Sequence, residues 1–368
     1  MRLAFAFALL LLASFAAGQS SPLIVAYVFP QNSTLAPAQI QPHSVDRINY
    51  AFASIAGGRI APGSPVDAAN FGTLTALRHD NPSLTVLVSV GGWLGSGEFS
   101  QMAQTGKSRA RFIQSVMDFL ALYHLDGLDI DWEYPGLPGS GHPFRADDKQ
   151  NYTALVKELR ARFGAQKRRT GKRLYLSVAA GASDEFLAHA QMKRVAQYVD
   201  TVNLMTYDYY EPDSGPITGH HSPLYPNPAD PQGVSDDGSV LAFEKAGVPA
   251  GKIVLGIPFY GHVWSDVADV RHGLFQPGNR SANSSAPFAK IATTMLGHGF
   301  TRYWDQAARV PYLYNPDTRT FVSYEDAQSV GEKCRYVLDK KLRGVMFWYY
   351  GADNGELLHA IDTTLDHK

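Results

Sequence analysis

Residues 125–133 read Leu-Asp-Gly-Leu-Asp-Ile-Asp-Trp-Glu, an apolar strand-like run carrying acids where a buried strand has no ordinary use for them. Side chains alternate along a strand, so Asp129, Asp131 and Glu133 share one face, each about 7 Å from the next. Three carboxyls at that spacing cannot all ionise cheaply in a partly buried site. At least one must hold or share a proton near neutral pH. A protonated carboxyl beside a charged one is the arrangement of a general acid. Asp126 has the opposite parity and is expected to serve the strand's entry. The competing reading is a solvated outer face, the usual fate of scattered acids. Against it, Ile130 and Trp132 fill the intervening positions, and the run breaks at Tyr134-Pro135-Gly136, which puts the acids at a C-terminal strand end.

The elements that must hold these acids alternate in type. Apolar, β-branched or aromatic runs occur at 23–29, 47–55, 84–92, 125–133, 173–181, 199–208, 252–261 and 344–351. Amphipathic stretches such as 108–122 and 151–163 lie between them, the second with Leu155, Val156 and Leu159 at helical spacing. Eight β units interleaved with helices predict an α/β fold, a closed (β/α)8 TIM barrel. A doubly wound open sheet is the alternative, but no Gly-x-Gly-x-x-Gly follows the first strand. The gap between the seventh and eighth strands exceeds one crossover. Within it Pro311–Tyr314, a turn at Asn315-Pro316-Asp317, and Thr320–Tyr324 read as a hairpin. Residues 266–339 are therefore expected to form a small α+β insertion, its last helix near 325–341 returning the chain to the barrel.

In such barrels chemistry sits at the C-terminal strand ends. Those ends hold Tyr27, Phe52, Trp93, Asp131 with Glu133, Tyr207 with Asp208, Tyr260 with His262, and Trp348. Any one of these aromatics reads at least as well as core packing. Their recurrence at successive strand ends predicts an aromatic-lined groove with acid at its centre, suited to the apolar faces of sugar rings.

The formal net charge of −1 gives no electrostatic reason to expect nucleic acid or an anionic membrane as partner. Arg2, the apolar run Leu3–Phe15 and the small residues Ala16-Ala17-Gly18 read as a cleavable signal peptide, leaving an exported catalytic domain over 19–368. That leader is too short for a spanning helix, and no later stretch is long and apolar enough. Cys334 is the sole cysteine, which rules out an intrachain disulfide and reads as a small buried hydrophobe. Sequons stand at Asn32, Asn151, Asn279 and Asn283. His220 and His221 lie in a Gly/Pro/Asp-rich loop with no third ligand at metal spacing, so a loop role is expected and no metal or cofactor is required. A monomer is expected.

The strand-end motifs resemble those of glycoside hydrolase family 18, the chitinases. The run Asp126-Gly127-Leu128-Asp129-Ile130-Asp131-Trp132-Glu133 is similar to the family's DxxDxDxE signature. So are Ser89-Val90-Gly91-Gly92-Trp93, Met205-Thr206-Tyr207-Asp208, Gly256–Gly261 and Gly344–Trp348 to its other strand-end motifs. The segment with Trp304-Asp305, Pro311-Tyr312 and Ser323-Tyr324 is similar to the family's insertion domain. The resemblance implies a retaining, substrate-assisted hydrolysis of β-1,4-N-acetylglucosamine linkages, with no protein nucleophile. Glu133 would act as acid and then base. Asp131 would hold the substrate acetamido N–H, Asp129 would share a proton with Asp131, and Tyr207 would orient the acetamido oxygen. Asp208 would contact the same sugar. Trp348 would floor the subsite, with Met205 and Tyr27 beside it; Phe52, Gly92, Tyr260 and His262 would line the groove. Trp93 would stack a sugar on the leaving-group side.

Two departures stand out. His262 occupies a position where many members carry Arg, and Tyr349-Tyr350-Gly351 lacks an acid often found there. No carbohydrate-binding module is expected to flank the barrel. Two other functions compete: a non-catalytic lectin on the same fold, and an endo-β-N-acetylglucosaminidase acting on glycoprotein or peptidoglycan glycans. The retained Glu133, Asp131 and Tyr207 disfavour the first. A rim insertion that deepens a cleft along a linear polymer disfavours the second and favours chitin or its oligosaccharides.

Overall fold

The computed structural model describes residues 21–367; the signal-peptide expectation lies outside the described residues. Eight parallel strands close on themselves: β1 (Leu23–Val28), β2 (Arg47–Ala56), β4 (Thr85–Gly91), β5 (Gly127–Asp131), β6 (Tyr175–Gly181), β7 (Thr201–Met205), β8 (Ile253–Pro258) and β14 (Gly344–Trp348). The pairing of β1 with both β2 and β14 completes the (β/α)8 barrel. β3 (Arg59–Pro62) folds back antiparallel on β2. The apolar strands are buried nearly end to end, as parallel strands covered by helices must be.

The outer helices follow local signals. Helix Gly106–Leu122 starts where the Thr105 hydroxyl accepts the Ser108 N–H at 3.1 Å. It buries Phe112, Ile113, Val116, Phe119 and Leu120. Helix Asp148–Thr170 runs past the expected 151–163 at both ends and stops at Gly171, whose φ of 75° a side chain would resist.

Between β8 and β14 a second, five-stranded antiparallel sheet is built from β9 (Tyr260–Ser265), β10 (Asn279–Pro287), β11 (Thr301–Asp305), β12 (Val310–Asn315) and β13 (Thr320–Ser323), in the order β10-β9-β13-β12-β11. Two expectations need correction here. The seventh apolar run is not one strand. The barrel part ends at Pro258, Phe259 donates its N–H to Trp348 O at 2.7 Å, and the chain turns directly into the second sheet. That sheet therefore begins at Tyr260, ahead of residue 266. Helix Ala327–Asp339 packs against helix Glu356–Leu365 and β14, so it belongs to the barrel's outer layer. Cys334 is buried in that helix, and burial pushes its thiol up to about 12.

Candidate active site

β5 is shorter than the expected 125–133 because Glu133 leaves the ladder. Its N–H donates instead to Ser96 Oγ at 2.9 Å, while the Ser96 hydroxyl donates to Gly92 O and Asp131 O at 2.9 and 3.1 Å. Trp132 turns into the core and stacks on Phe99 with ring centroids 5.1 Å apart. Glu133 thus points from a bend at the barrel mouth, above two fully strand-held acids. Asp126 sits at the strand's other end, paired with Arg78 and accepting the Val86 N–H at 2.9 Å.

Asp129 is completely buried, yet every lone-pair direction is used. Tyr27 Oη and Ser89 Oγ donate to Oδ2 at 2.9 and 2.8 Å; Ser177 Oγ and Asn203 Nδ2 donate to Oδ1 at 2.6 and 3.3 Å. Burial raises its proton affinity above the ordinary value, and the hydrogen bonds from Ser177, Ser89 and Tyr27 and the charge of Arg47 offset only part of that rise. Asp131 is in the opposite condition. Burial and the neighbouring charges of Glu133 and Asp129 push it well above the carboxylate range, and its Oδ1 meets no N–H or O–H donor.

The Asp131 and Glu133 carboxyls hydrogen-bond to each other, which requires a proton between them. Burial pushes Glu133 up to about 7. The pairing differs from the expected sharing between Asp131 and Asp129: four donors saturate Asp129, so the half-buried Glu133 takes its place. The Tyr134 hydroxyl also reaches Glu133. Peptide bonds Ala51-Phe52, Glu133-Tyr134 and Trp348-Tyr349 are cis.

Tyr207 follows β7 and lies against Gly256 of β8, where a Cβ would come within 2.9 Å of its ring. Burial, then the charges of Asp131, Asp208 and Glu133, keep its hydroxyl protonated. Asp208 opens to the cleft in a left-handed conformation, φ 61°. Its Oδ1 accepts from Tyr260 Oη at 2.6 Å and pairs with His262 Nε2 at 2.8 Å, with His221 Nδ1 at 3.7 Å. Burial alone would raise Asp208; the close approach of the His221 and His262 rings, His262 in hydrogen bond, holds it well below the usual range. His262 is raised despite its burial because Asp208 faces it, and burial depresses His221 to about 4.

The aromatic residues form one wall. Trp348 stacks on Phe52 at 5.6 Å and meets Tyr27 at 5.8 Å and Phe29 at 5.4 Å, with Met205, Tyr207 and Met346 in the same cluster. Gly92, at φ 78°, makes room for Phe52: a Cβ there would sit 2.7 Å from the ring. Trp93 stands apart on the rim, 49% exposed, its carbonyl 2.8 Å from His142 Nε2. All thirteen residues singled out from sequence therefore border one cleft or its floor. Sequence reasoning gave no site role to Ser89, Ser96, Ser177, Asn203, Tyr134, His221 or Phe29. The signal for Ser177 and Asn203 was available as polar residues at inward parity in otherwise apolar strands.

His220 pairs with Asp305 of the second sheet at 2.9 Å, a bracing role for that loop. The expectation that His221 lacks further ligands is corrected: Asp208, His221 and His262 gather their ligand atoms within 4.8 Å of one another. Asp208 Oδ1 already accepts two hydrogen bonds there, and the charge of Lys333 also bears on His221. Asp208 hydrogen-bonded to Tyr260 and His262, with the His221 ring alongside at 3.7 Å, accounts for these contacts.

Comparison with known proteins agrees with this geometry. The family model for glycosyl hydrolases family 18 matches residues 23–353. The chain is 40% identical over 306 residues to chitinase A1 of Niallia circulans, covering 79% of this chain but only 44% of that enzyme. A family 18 N-acetylglucosaminidase from Paenibacillus barengoltzii superposes with a TM-score of 0.85 at 38% identity, covering 93% of this chain and 99% of that one. Human YKL-39, described as a pseudo-chitinase with retained chitooligosaccharide binding, superposes with a TM-score of 0.85 at 25% identity, over 94% and 100% of the two chains. On its matched span, its closed barrel and the carboxyl run at its fifth barrel strand, the chain belongs to glycosyl hydrolases family 18.

Proposed function

We propose that this chain is an exported chitinase that hydrolyses β-1,4 bonds between N-acetylglucosamine units, with retention and through the substrate's own acetamido group. The observation that carries the reading is the pairing of the Asp131 and Glu133 carboxyls at the barrel mouth, where burial pushes Glu133 up to about 7. A carboxyl with that proton affinity is protonated often enough near neutrality to deliver it to a glycosidic oxygen, and basic enough afterwards to draw a proton from water.

As Glu133 gives up its proton, Asp131 loses its partner and turns its charge to the acetamido N–H, stabilising the oxazolinium ion that forms. The Tyr207 hydroxyl, kept neutral, donates to the acetamido oxygen and fixes its line of attack. Asp208, an anion under all ordinary conditions, accepts from sugar hydroxyls, and Trp348 with Phe52 supplies the apolar floor. Trp93 offers a stacking face on the leaving-group side. Tyr260 and His262 bring the second sheet into the cleft wall, which favours a chain of sugars over a single one.

Export rests on Arg2, the apolar run after it and Ala16-Ala17-Gly18. Among the described residues no helix is long and apolar enough to cross a membrane. A monomer, with no nucleic acid or membrane partner, completes the proposal.

A second reading is favoured by one specific observation: the N-acetylglucosaminidase match extends over 99% of that chain. Product analysis by mass and anomer separates the two. Chitin hexamer is expected to give internal fragments with the β-anomer first formed. Release of monomer alone from one end would replace chitinase with N-acetylglucosaminidase, and cleavage of a glycoprotein glycan in preference to the hexamer would replace both.

A further inference from the structure

The barrel interior beneath the acid cluster is polar in a way the reading above does not use. Arg47 opens β2 at the barrel's other end and is buried, its guanidinium 5.3 Å from the Tyr175 ring centroid. Its Nη1 donates to Thr201 Oγ1 at 3.1 Å; that hydroxyl is 3.1 Å from Asn203 Oδ1. Asn203 Nδ2 in turn donates to Tyr27 Oη at 2.8 Å and to Asp129 Oδ1 at 3.3 Å, and Tyr27 donates to Asp129 Oδ2.

The direction of this chain is fixed by its first member. A guanidinium only donates, so Thr201 must accept from it and pass its own proton to Asn203 Oδ1. That sets the Asn203 amide with its NH2 towards Tyr27 and Asp129. Tyr27 then accepts from Asn203 and donates onward. Every link points to Asp129, where Ser89 and Ser177 also donate, and a carboxyl that accepts from four donors has no place for a proton of its own.

We propose that Arg47 is a positioning residue for the reaction: acting through Thr201 and Asn203, it holds Asp129 as an anion, so that the transferable proton of the cluster stays on the Asp131–Glu133 pair. The inference rests on the glycosidase reading of that pair. Around Asp129 the titratable and charged groups are Tyr27 from β1, Arg47 from β2, Asp131 from its own strand and Tyr152 from helix Asp148–Thr170; β4, β6 and β7 present the neutral Ser89, Ser177 and Asn203. Arg47 itself faces Asp200, Arg343 and Tyr175. It is the one cation among these groups whose charge bears on Asp129.

The test is the pH dependence of kcat/KM on chitooligosaccharide for the wild type, Arg47→Met, Arg47→Lys and Thr201→Val. Removing a buried positive charge makes every carboxyl of the cluster hold its proton more tightly, Asp129 most. Arg47→Met is expected to move the acid limb up by roughly one pH unit, the low end of what a neighbouring opposite charge supplies. Thr201→Val, which cuts the relay and keeps the charge, should move it by less, and Arg47→Lys least. Limbs that stay within about 0.2 unit while rates fall evenly at all pH would make Arg47 a packing residue and overturn the proposal.

Thr201→Val and Arg47→Lys decide the matter if Arg47→Met fails to fold. An infrared titration of the protonated-carboxyl band, assigned by its loss in Asp129→Asn, gives a reading independent of turnover: the band should persist to higher pH in Arg47→Met or Thr201→Val than in the wild type. If the wild type cleaves no chitooligosaccharide, the functional reading fails, and this band still tests the relay.

Discussion

Among the described residues, two clusters of buried carboxyls meet their cations differently. At the barrel mouth, Asp131 and Glu133 have no Lys or Arg ion pair, and Arg47 reaches Asp129 through a relay. Behind the cleft, Lys333 is fully buried and touches both its acids, Glu325 at 2.8 Å and Asp236 at 2.9 Å, and it donates to Ser222 O at 2.8 Å. Burial raises Asp236 to about 7 even beside the ammonium, whose charge opposes that rise.

The second group ties helix Ala327–Asp339 to helix Asp236–Lys245 and to the loop after Tyr207. A cation in contact freezes charge in place. A cation held at a remove neutralises one acid and leaves the others free to trade a proton. The first arrangement braces a fold and the second can do chemistry.

The comparison breaks if the mouth pair proves to be structural. Glu133→Gln should lower kcat by about 10²–10⁴-fold while oligosaccharide binding, followed calorimetrically, persists. Near-normal turnover would remove Glu133 from the chemistry. The same variant carries a stability test. Glu133 binds its proton more tightly when folded than its ordinary 4.5, so the stability it brings is complete below that value and is lost as pH rises towards about 7. Denaturant unfolding should show Glu133→Gln gaining on the wild type across that window, and a constant difference would contradict it. In kcat/KM the wild type's alkaline limb belongs in the same region, near pH 7, because the acid form is what acts.

Lys333→Met should lower unfolding free energy by about 3–5 kcal/mol, since two buried carboxyls lose their only contact cation. Its pH–rate limbs should stay where they are. A shift there would mean that the two groups are electrostatically one. Asp236→Asn leaves Lys333 paired with Glu325 at matched charge, so about 1 kcal/mol or less is expected. A loss as large as that of Lys333→Met would show that all three groups act as an inseparable unit.

Much of the site was legible because one strand carries it. Alternation placed Asp129 and Asp131 on one face of β5 and put Glu133 just beyond them, and strand-end position gathered Tyr27, Tyr207, Asp208 and Trp348. What could not be read was anything decided across strands. Arg47 begins an apolar run like a surface-facing strand residue, and only closure of the barrel brings it beside Thr201 and Tyr175. The identity of Asp131's partner depended on how many donors four other strands aim at Asp129. The break at Phe259 was hidden because apolar residues continue through it: the barrel strand and β9 differ in their neighbours, not in composition. His221 looked like a loop residue because its companions, Asp208 and His262, come from two other segments.

The direct passage from Pro258 through Phe259 to Tyr260 has a consequence for anyone who would recombine such enzymes. The second sheet has no hinge on its entry side, and its first strand supplies Tyr260 and His262 to Asp208. A cut that lifts out this sheet as a cassette must therefore sever the contacts of Tyr260 and His262 with Asp208 at the barrel mouth. Breeding a deeper or shallower cleft by swapping that sheet would mean transplanting part of the old specificity along with it.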